Sequence, residues 1–299
     1  MTYSVTALDA DAGQIGVAVQ SHWLAVGGIV PWAAAGIGVL ATQANSDLAA
    51  GRRGLELLSA SRSAAVTLGG LVRNDPRAAV SQIAVLDAAG EVAVHTGARC
   101  IAEAGHRAGH GWSVQANMML SPTVPDAMAT AWADGAGTPL AGRMLSVLRA
   151  AQAEGGDVRG QQSAAMLIVS LAPAEAPLDT ILDVRVDDSA DPITELERLC
   201  RLAEAYREHE LGLDVLAADA GQALAHWTRA AKLAPGNEEL GFWRAVALAS
   251  TGQRAGARQI LVDLCRANSG WCTLLARLPA AGLLPDDAGL IADLIGDGA

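Results

Sequence analysis

Thr2-Tyr3-Ser4-Val5-Thr6-Ala7-Leu8-Asp9, the turn Asp9-Ala10-Asp11-Ala12-Gly13 and Gln14-Ile15-Gly16-Val17-Ala18-Val19-Gln20 decide the fold class of this chain. The first stretch alternates as a strand does, and the last reads as its partner, so the chain opens on an antiparallel hairpin. Further strand patterns follow at Gly36–Gln43, Val80–Leu86, Glu91–Thr96, Gly111–Gln115, Ala164–Leu171 and Leu182–Val186. Asp87-Ala88-Ala89-Gly90 is a turn that joins the second and third of these. Helical spacing predicts one helix over Leu55–Leu71, and Pro125–Trp132 opens another. Strand pairs, then helices, then strand pairs again is an α+β order with mostly antiparallel sheets. Several strands lack polar alternation, which predicts sheets buried on both faces, stacked on another sheet or covered by helices.

After Asp187-Asp188-Ser189-Ala190-Asp191-Pro192 the strand patterns stop and Ala, Leu, Glu and Arg dominate. Asp191-Pro192 followed by acidic residues is a helix start. The expected domains are therefore residues 1–188 and a helical segment, 189–299. Within the latter, Ala223 to Asn237 resembles the second helix and exit turn of a tetratricopeptide repeat. A step of about 34 residues carries Ala223 to Ala257 and Trp227 to Leu261. Such a tail offers a surface for a protein partner or for self-association into a homo-oligomer, and carries no evident catalytic residue.

The chain has 299 residues and a formal net charge of −11, which argues against nucleic acid and against an anionic membrane surface. It shows no uncharged apolar run of about 18 residues and no basic-plus-apolar leader. Four cysteines, Cys100, Cys200, Cys265 and Cys272, are sparse and read as free thiols in a reducing cytoplasm. Neither a metal nor a cofactor is expected. His95, His106 and His110 lie among glycines, without a carboxylate at metal-ligand spacing, and read as surface-loop histidines.

The position with the most chemistry is Thr2. A small residue there lets the initiator methionine be trimmed, leaving a hydroxyl and a free α-amine on one residue. An amine of pKa about 8 is a usable base near neutral pH, and a threonine beside its own amine is a recognised activated nucleophile. Ser4 shares its strand face but lacks the amine. Polar ends of apolar strands supply the other candidates. His22 follows the second strand as a pocket-lining residue, and Thr42-Gln43-Ala44-Asn45 ends the third. Asp157, Arg159 and Ser163 stand at the mouth of the longest apolar strand, placed to fix charge near an N-terminal amine.

Seven blocks in order are similar to a bacterial family known as domain of unknown function 1028. They are Thr2–Asp9, Gly16–Gly27, Val30–Ala44, His95–His106, Val114–Met119, Arg159–Val169 and Asp183–Asp188. The resemblance implies the fold of the N-terminal nucleophile hydrolases, two antiparallel sheets stacked between helical layers. Proteasome β subunits of that fold also carry the nucleophilic threonine at the head of the first strand. Their second strand ends in V-A-V-D-S, where this chain has Val17-Ala18-Val19-Gln20-Ser21. Gln20 thus stands at the place of a catalytic aspartate, and residues 29–43 contain no Lys or Arg to match the relatives' basic residue. The resemblance carries over Asn117, Asp157 and Ser163.

The expected function is hydrolysis of a small-molecule amide by processed Thr2. Asn117 or a neighbouring backbone N–H stabilises the oxyanion, Asp157 and Ser163 hold the amine, and His22, Thr42 and Gln43 line the pocket. The alternative is a scaffold that binds a small molecule without turnover, with a helical docking tail.

Overall fold

The protein is described from a computed structural model over residues 2–73, 75–172, 179–216, 218–285 and 287–295. Met1, on whose removal a Thr2 nucleophile depends, lies outside them. The opening hairpin is β1 (Thr2–Asp9) and β2 (Gln14–Ser21). After β3 (Pro31–Ala34) and β4 (Gly38–Ala44) come α1 (Ala50–Ser61), α2 (Ala64–Val72), β5 (Ser81–Asp87) and β6 (Val92–Thr96). Then follow β7 (Gly105–Gly109), β8 (Trp112–Asn117), α3 (Val124–Asp134), α4 (Leu140–Ala153), β9 (Ser163–Ser170) and β10 (Thr180–Val186). The strands form two antiparallel sheets, in order β10-β9-β2-β1-β8-β7 and β3-β4-β5-β6. This is the expected α+β layout.

Three apolar layers hold the sheets in place. Tyr3, Val5 and Ala7 of β1 pack against Met128 and Trp132 of α3 and Met144 and Leu148 of α4. Ile15, Val17 and Val19 of β2 meet Val39, Ala41, Ala84 and Leu86 of the second sheet. The outer face of that sheet, with Leu40, Ile83 and Val85, is covered by Leu58 of α1 and Leu71 of α2. Each strand face is thus buried because its side-chain period of two meets a covering layer on both sides.

Several expectations are corrected. The single helix over Leu55–Leu71 is two helices, because Arg62 takes a left-handed conformation (φ 53°) and Ser63 Oγ caps α2 by accepting from Val66 N. β3, β7 and α4 were not expected. β3 and β7 are edge strands, short and rich in Ala or Gly, which need little apolar patterning. His106 accordingly lies on β7 rather than in a loop. In α4 the signal was present in Leu140, Met144, Val147, Leu148 and Ala151, which share one buried face.

The chain divides into two compact units within α5 (Pro192–Val215), at Cys200/Arg201 rather than at residue 188. Ile193, Leu196 and Cys200 belong to the core of the first unit. The second unit contains α6 (Ala220–Leu233), α7 (Glu238–Ser250), α8 (Arg254–Ala267), α9 (Ser269–Arg277) and α10 (Ala288–Ile295). Ala223 and Trp227 of α6 and Ala257 and Leu261 of α8 are all buried, one helix apart, with Gly252 at the α7–α8 turn.

Cys265 and Cys272 are joined in a disulfide, Cα–Cα 5.3 Å, so the expectation of four free thiols fails for this pair. The tight corner at Asn268, which ends α8 and caps α9, brings the two positions together. With it goes the inference of a reducing compartment from thiols alone. Cys100 and Cys200 are free, and burial pushes the Cys200 thiol up to about 12. No described helix is long and apolar enough to cross a membrane.

Candidate functional site

Antiparallel register places Thr2 opposite Asn117 on β8 and Ser21 on β2, and Ser21 opposite Ser163 on β9. Directly paired residues share a face. Asn117, Thr2, Ser21 and Ser163 therefore form one polar row across four strands, facing the second sheet. On that sheet Gln43, Gln82 and Thr96 form the answering row across β4, β5 and β6. Thr2, Ser21, Gln43, Gln82 and Asn117 are all buried.

The orientation of every amide in this belt follows from the backbone. Gln82 Nε2 donates to the carbonyls of Gly105 (3.1 Å) and Ala116 (3.0 Å) and to Thr96 Oγ1 (2.9 Å). Its Oε1 must then be the acceptor that faces Gln43 Nε2 (2.7 Å) and Asn117 Nδ2 (2.9 Å). Both of those groups also donate to the Thr2 carbonyl, at 3.2 and 3.3 Å. The Thr2 backbone is thereby held from two sides, while its Oγ1 donates to Ser21 Oγ at 3.0 Å. Below it Ser4 Oγ is locked between Gln43 Oε1 (2.6 Å) and Gln115 Nε2 (2.7 Å), with no exposure, which removes Ser4 as a second nucleophile.

A cleft of about 580 Å³ opens on this row. Thr2, Ser21, Thr42, Gln43, Asn45 and Asn117 line it. The structure thus brings together four of the expected site residues, Thr2, Asn117, Thr42 and Gln43. Asn117 differs in what it can offer. Both N–H donors of its side chain have acceptors, in Thr2 O and Gln82 Oε1, and its buried Oδ1 has no partner among the described residues. It presents a free acceptor, so its side chain cannot be the oxyanion donor. The adjoining backbone N–H of Met118 is bound to Ile101 O. Asn45 carries a side-chain amide to the cleft wall because Ala44 turns the end of β4 in a left-handed conformation (φ 62°).

The remaining expected residues lie elsewhere. Asp157 accepts from Arg159 Nη2 (2.8 Å), Arg159 Nε (3.1 Å) and His22 N (3.3 Å). Ser163 Oγ donates to Trp23 O and accepts from Val26 N (3.1 Å). The two residues grip opposite ends of the 22–26 segment, whose Trp23 and Val26 form part of the cleft wall. Their observed bonds act on that wall rather than on Thr2. The His22 ring lies against the 157–160 turn, where a Cβ on Gly160 would stand 3.7 Å from its Cδ2, and His22 does not line the cleft. Gln20 pairs with Tyr3, so it faces the helical layer, opposite to Thr2, and neither of its buried amide atoms has a partner among the described residues. Burial, and then the charge of Asp157, raises the Tyr3 phenol well above its ordinary value. The residue at the place of the proteasome aspartate thus lies on the face opposite to Thr2.

Ser21, Gln82 and Gln115 are site residues that the sequence reading misses, whereas Asn45 lies in the polar strand end already singled out. The usable signal was a Gln inside an otherwise apolar strand, as in Ser81-Gln82-Ile83-Ala84-Val85-Leu86, since a buried amide must find partners. Among the described residues no cluster of His, Cys, Asp or Glu is placed to hold a metal ion.

A family model described as "Family of unknown function (DUF1028)" matches residues 2–196. The crystal structure of protein SPO2555 from Silicibacter pomeroyi, itself described by that family model, is similar with a TM-score of 0.61 and 28% identity. The match covers 68% of this chain and 85% of the other. No curated protein matches.

Proposed function

The chain belongs to the DUF1028 family, and from that premise we propose that it is an amidohydrolase of the N-terminal nucleophile type acting on a small molecule through Thr2. The observation that carries this reading is the position of Thr2. It heads the first strand, its backbone is gripped by Gln43 and Asn117, and it lines a cleft large enough for a small molecule. With Met1 removed, the Thr2 hydroxyl attacks the amide carbonyl and the α-amine takes its proton, directly or through one water. The acyl group passes to Thr2 Oγ1, the amine product leaves with the proton, and water then cleaves the ester. Ser21 Oγ, 3.0 Å from the nucleophile, orients it. Asn117 Oδ1 is the free acceptor for an N–H at the reacting centre, and the Asn45 amide is the donor assigned to the oxyanion. One such donor is typically worth about 3 kcal/mol of barrier.

The test is the intact mass of the purified protein together with turnover of an amide panel by the wild type and by Thr2→Ala. Loss of the methionine mass and loss of turnover in the variant are expected. Full activity with methionine retained refutes the mechanism. A second reading, a binding scaffold without turnover, is favoured by two observations: Gln20 faces away from Thr2, and no Lys or Arg lies on residues 29–43. Ligand-induced thermal stabilisation without turnover, and no covalent adduct on Thr2 from an electrophilic amide mimic, would favour that reading. The helical second unit, with its tetratricopeptide-like spacing, is the part we assign to partner docking.

A further inference from the structure

The Thr2 cleft is lined by three ionisable side chains, Asp47, Arg77 and Arg99. Asp47 is saturated. Its carboxylate accepts from Ala49 N and is paired with Arg53 (3.1 Å) and Arg77 (3.0 Å), and these partners hold it below the usual carboxylate range. Arg77 is thereby spent on Asp47, with Asp75 at 3.9 Å. Arg99 is different. Its backbone N–H is fixed to Ala79 O, while its exposed guanidinium has no hydrogen-bond or ion-pair partner among the described residues. One uncompensated positive charge thus faces the cleft of a protein whose net charge is −11. The rim beside it is apolar, for Trp23, Leu48 and Ile101 are exposed large hydrophobics that line the same cleft.

We propose that the substrate is an anionic amide with an apolar segment, its carboxylate held by Arg99 and its apolar part covered by Trp23, Leu48 and Ile101. This deepens the amidohydrolase reading and rests on it for the amide, but not for the anion. A guanidinium offers a fork of N–H donors that matches a carboxylate, and no described residue pairs with it. Because the site is open to solvent, the preference for a charged ligand over a neutral isostere is set at about fivefold rather than the larger value of a buried pair. Raised salt weakens it.

The experiment has two arms. In the first, kcat/KM is measured for N-hexanoylglycine against its carboxamide and for N-butylsuccinamic acid against its carboxamide, with wild type and Arg99→Gln. These pairs place the carboxylate on the amine side and the acyl side of the scissile bond. The expected result is about a fivefold preference for the acid in at least one pair that falls to about one in the variant. In the second arm, calorimetry compares hexanoate with 1-hexanol on the same two proteins, which requires no turnover. Tighter binding of hexanoate that disappears in Arg99→Gln is expected, with Arg99→Lys retaining part of it. If no amide is cleaved but hexanoate binds as described, the hydrolase reading fails and the anion site stands. If neutral and acidic ligands are equivalent in both arms, or the preference survives in Arg99→Gln, the anion site is overturned whether or not amides are cleaved.

Discussion

Replacing Gln82 by methionine removes the hub that joins the two sheets while keeping side-chain length and volume. The wild-type amide makes five hydrogen bonds, to Thr96, Gly105 O, Ala116 O, Gln43 and Asn117. Their consequences differ. The carbonyls of Gly105 and Ala116 belong to paired residues of the β7–β8 ladder, and Gln43 keeps Thr2 O and Gln115 O as acceptors. Asn117 keeps Thr2 O but loses the acceptor for its second N–H, and the residue is buried. At about 1 kcal/mol for a typical net hydrogen bond and about 1–3 kcal/mol for a buried donor left unmade, Gln82→Met should cost roughly 3–5 kcal/mol. At about 2–4 °C per kcal/mol for a chain near this size, the first unit should melt roughly 10 °C lower. Chemical denaturation gives the free energy, and hydrogen exchange along β5 and β8 locates it. A double-mutant cycle with Gln43→Met should show a coupling of about 0.5–3 kcal/mol. A loss below about 1 kcal/mol, with exchange in β5 unchanged, would refute the claim that this amide belt ties the sheets and holds Thr2.

Gly51→Ala should destabilise by about 1–3 kcal/mol through overpacking, because a Cβ there falls 2.0 Å from the Trp32 indole. That indole donates to Ile29 O and Thr42 Oγ1, so the melting shift should be accompanied by weaker ligand binding in the cleft. Ser163→Ala should free the 22–26 segment at a cost of about 1–2 kcal/mol, seen as faster amide exchange at Val26, which donates to Ser163 Oγ. His106, whose Nδ1 lies 2.9 Å from Thr96 Oγ1, is held below its ordinary pKa by burial first and then by Arg107 and His95. Its unfolded form binds more protons in the window from about 6.5 down to the lowered folded value, so stability is full above that window and falls as pH drops through it. The melting temperature of the wild type should therefore fall more steeply between pH 7 and pH 5 than that of His106→Gln, and equal slopes would reject this assignment.

The opening residues by themselves determine the hairpin, the antiparallel sheet and the face on which Thr2 lies, because a side-chain period of two is a local property. The same alternation separates Thr2, Ser4 and Thr6 from Tyr3, Val5 and Ala7. It does not reveal that the polar face meets Gln43 and Gln82 of another sheet. Register across strands far apart in sequence is fixed by packing of whole faces. Only the folded chain therefore decides that Asn117 stands opposite Thr2 and that Gln20 points away from it. The spent donors of Asn117, the clamp that Asp157 and Ser163 close on the 22–26 segment, and the Cys265–Cys272 link are decided in the same way. Each depends on which groups are already satisfied by neighbours distant in sequence or brought together at a corner, and residue type and spacing carry no record of that.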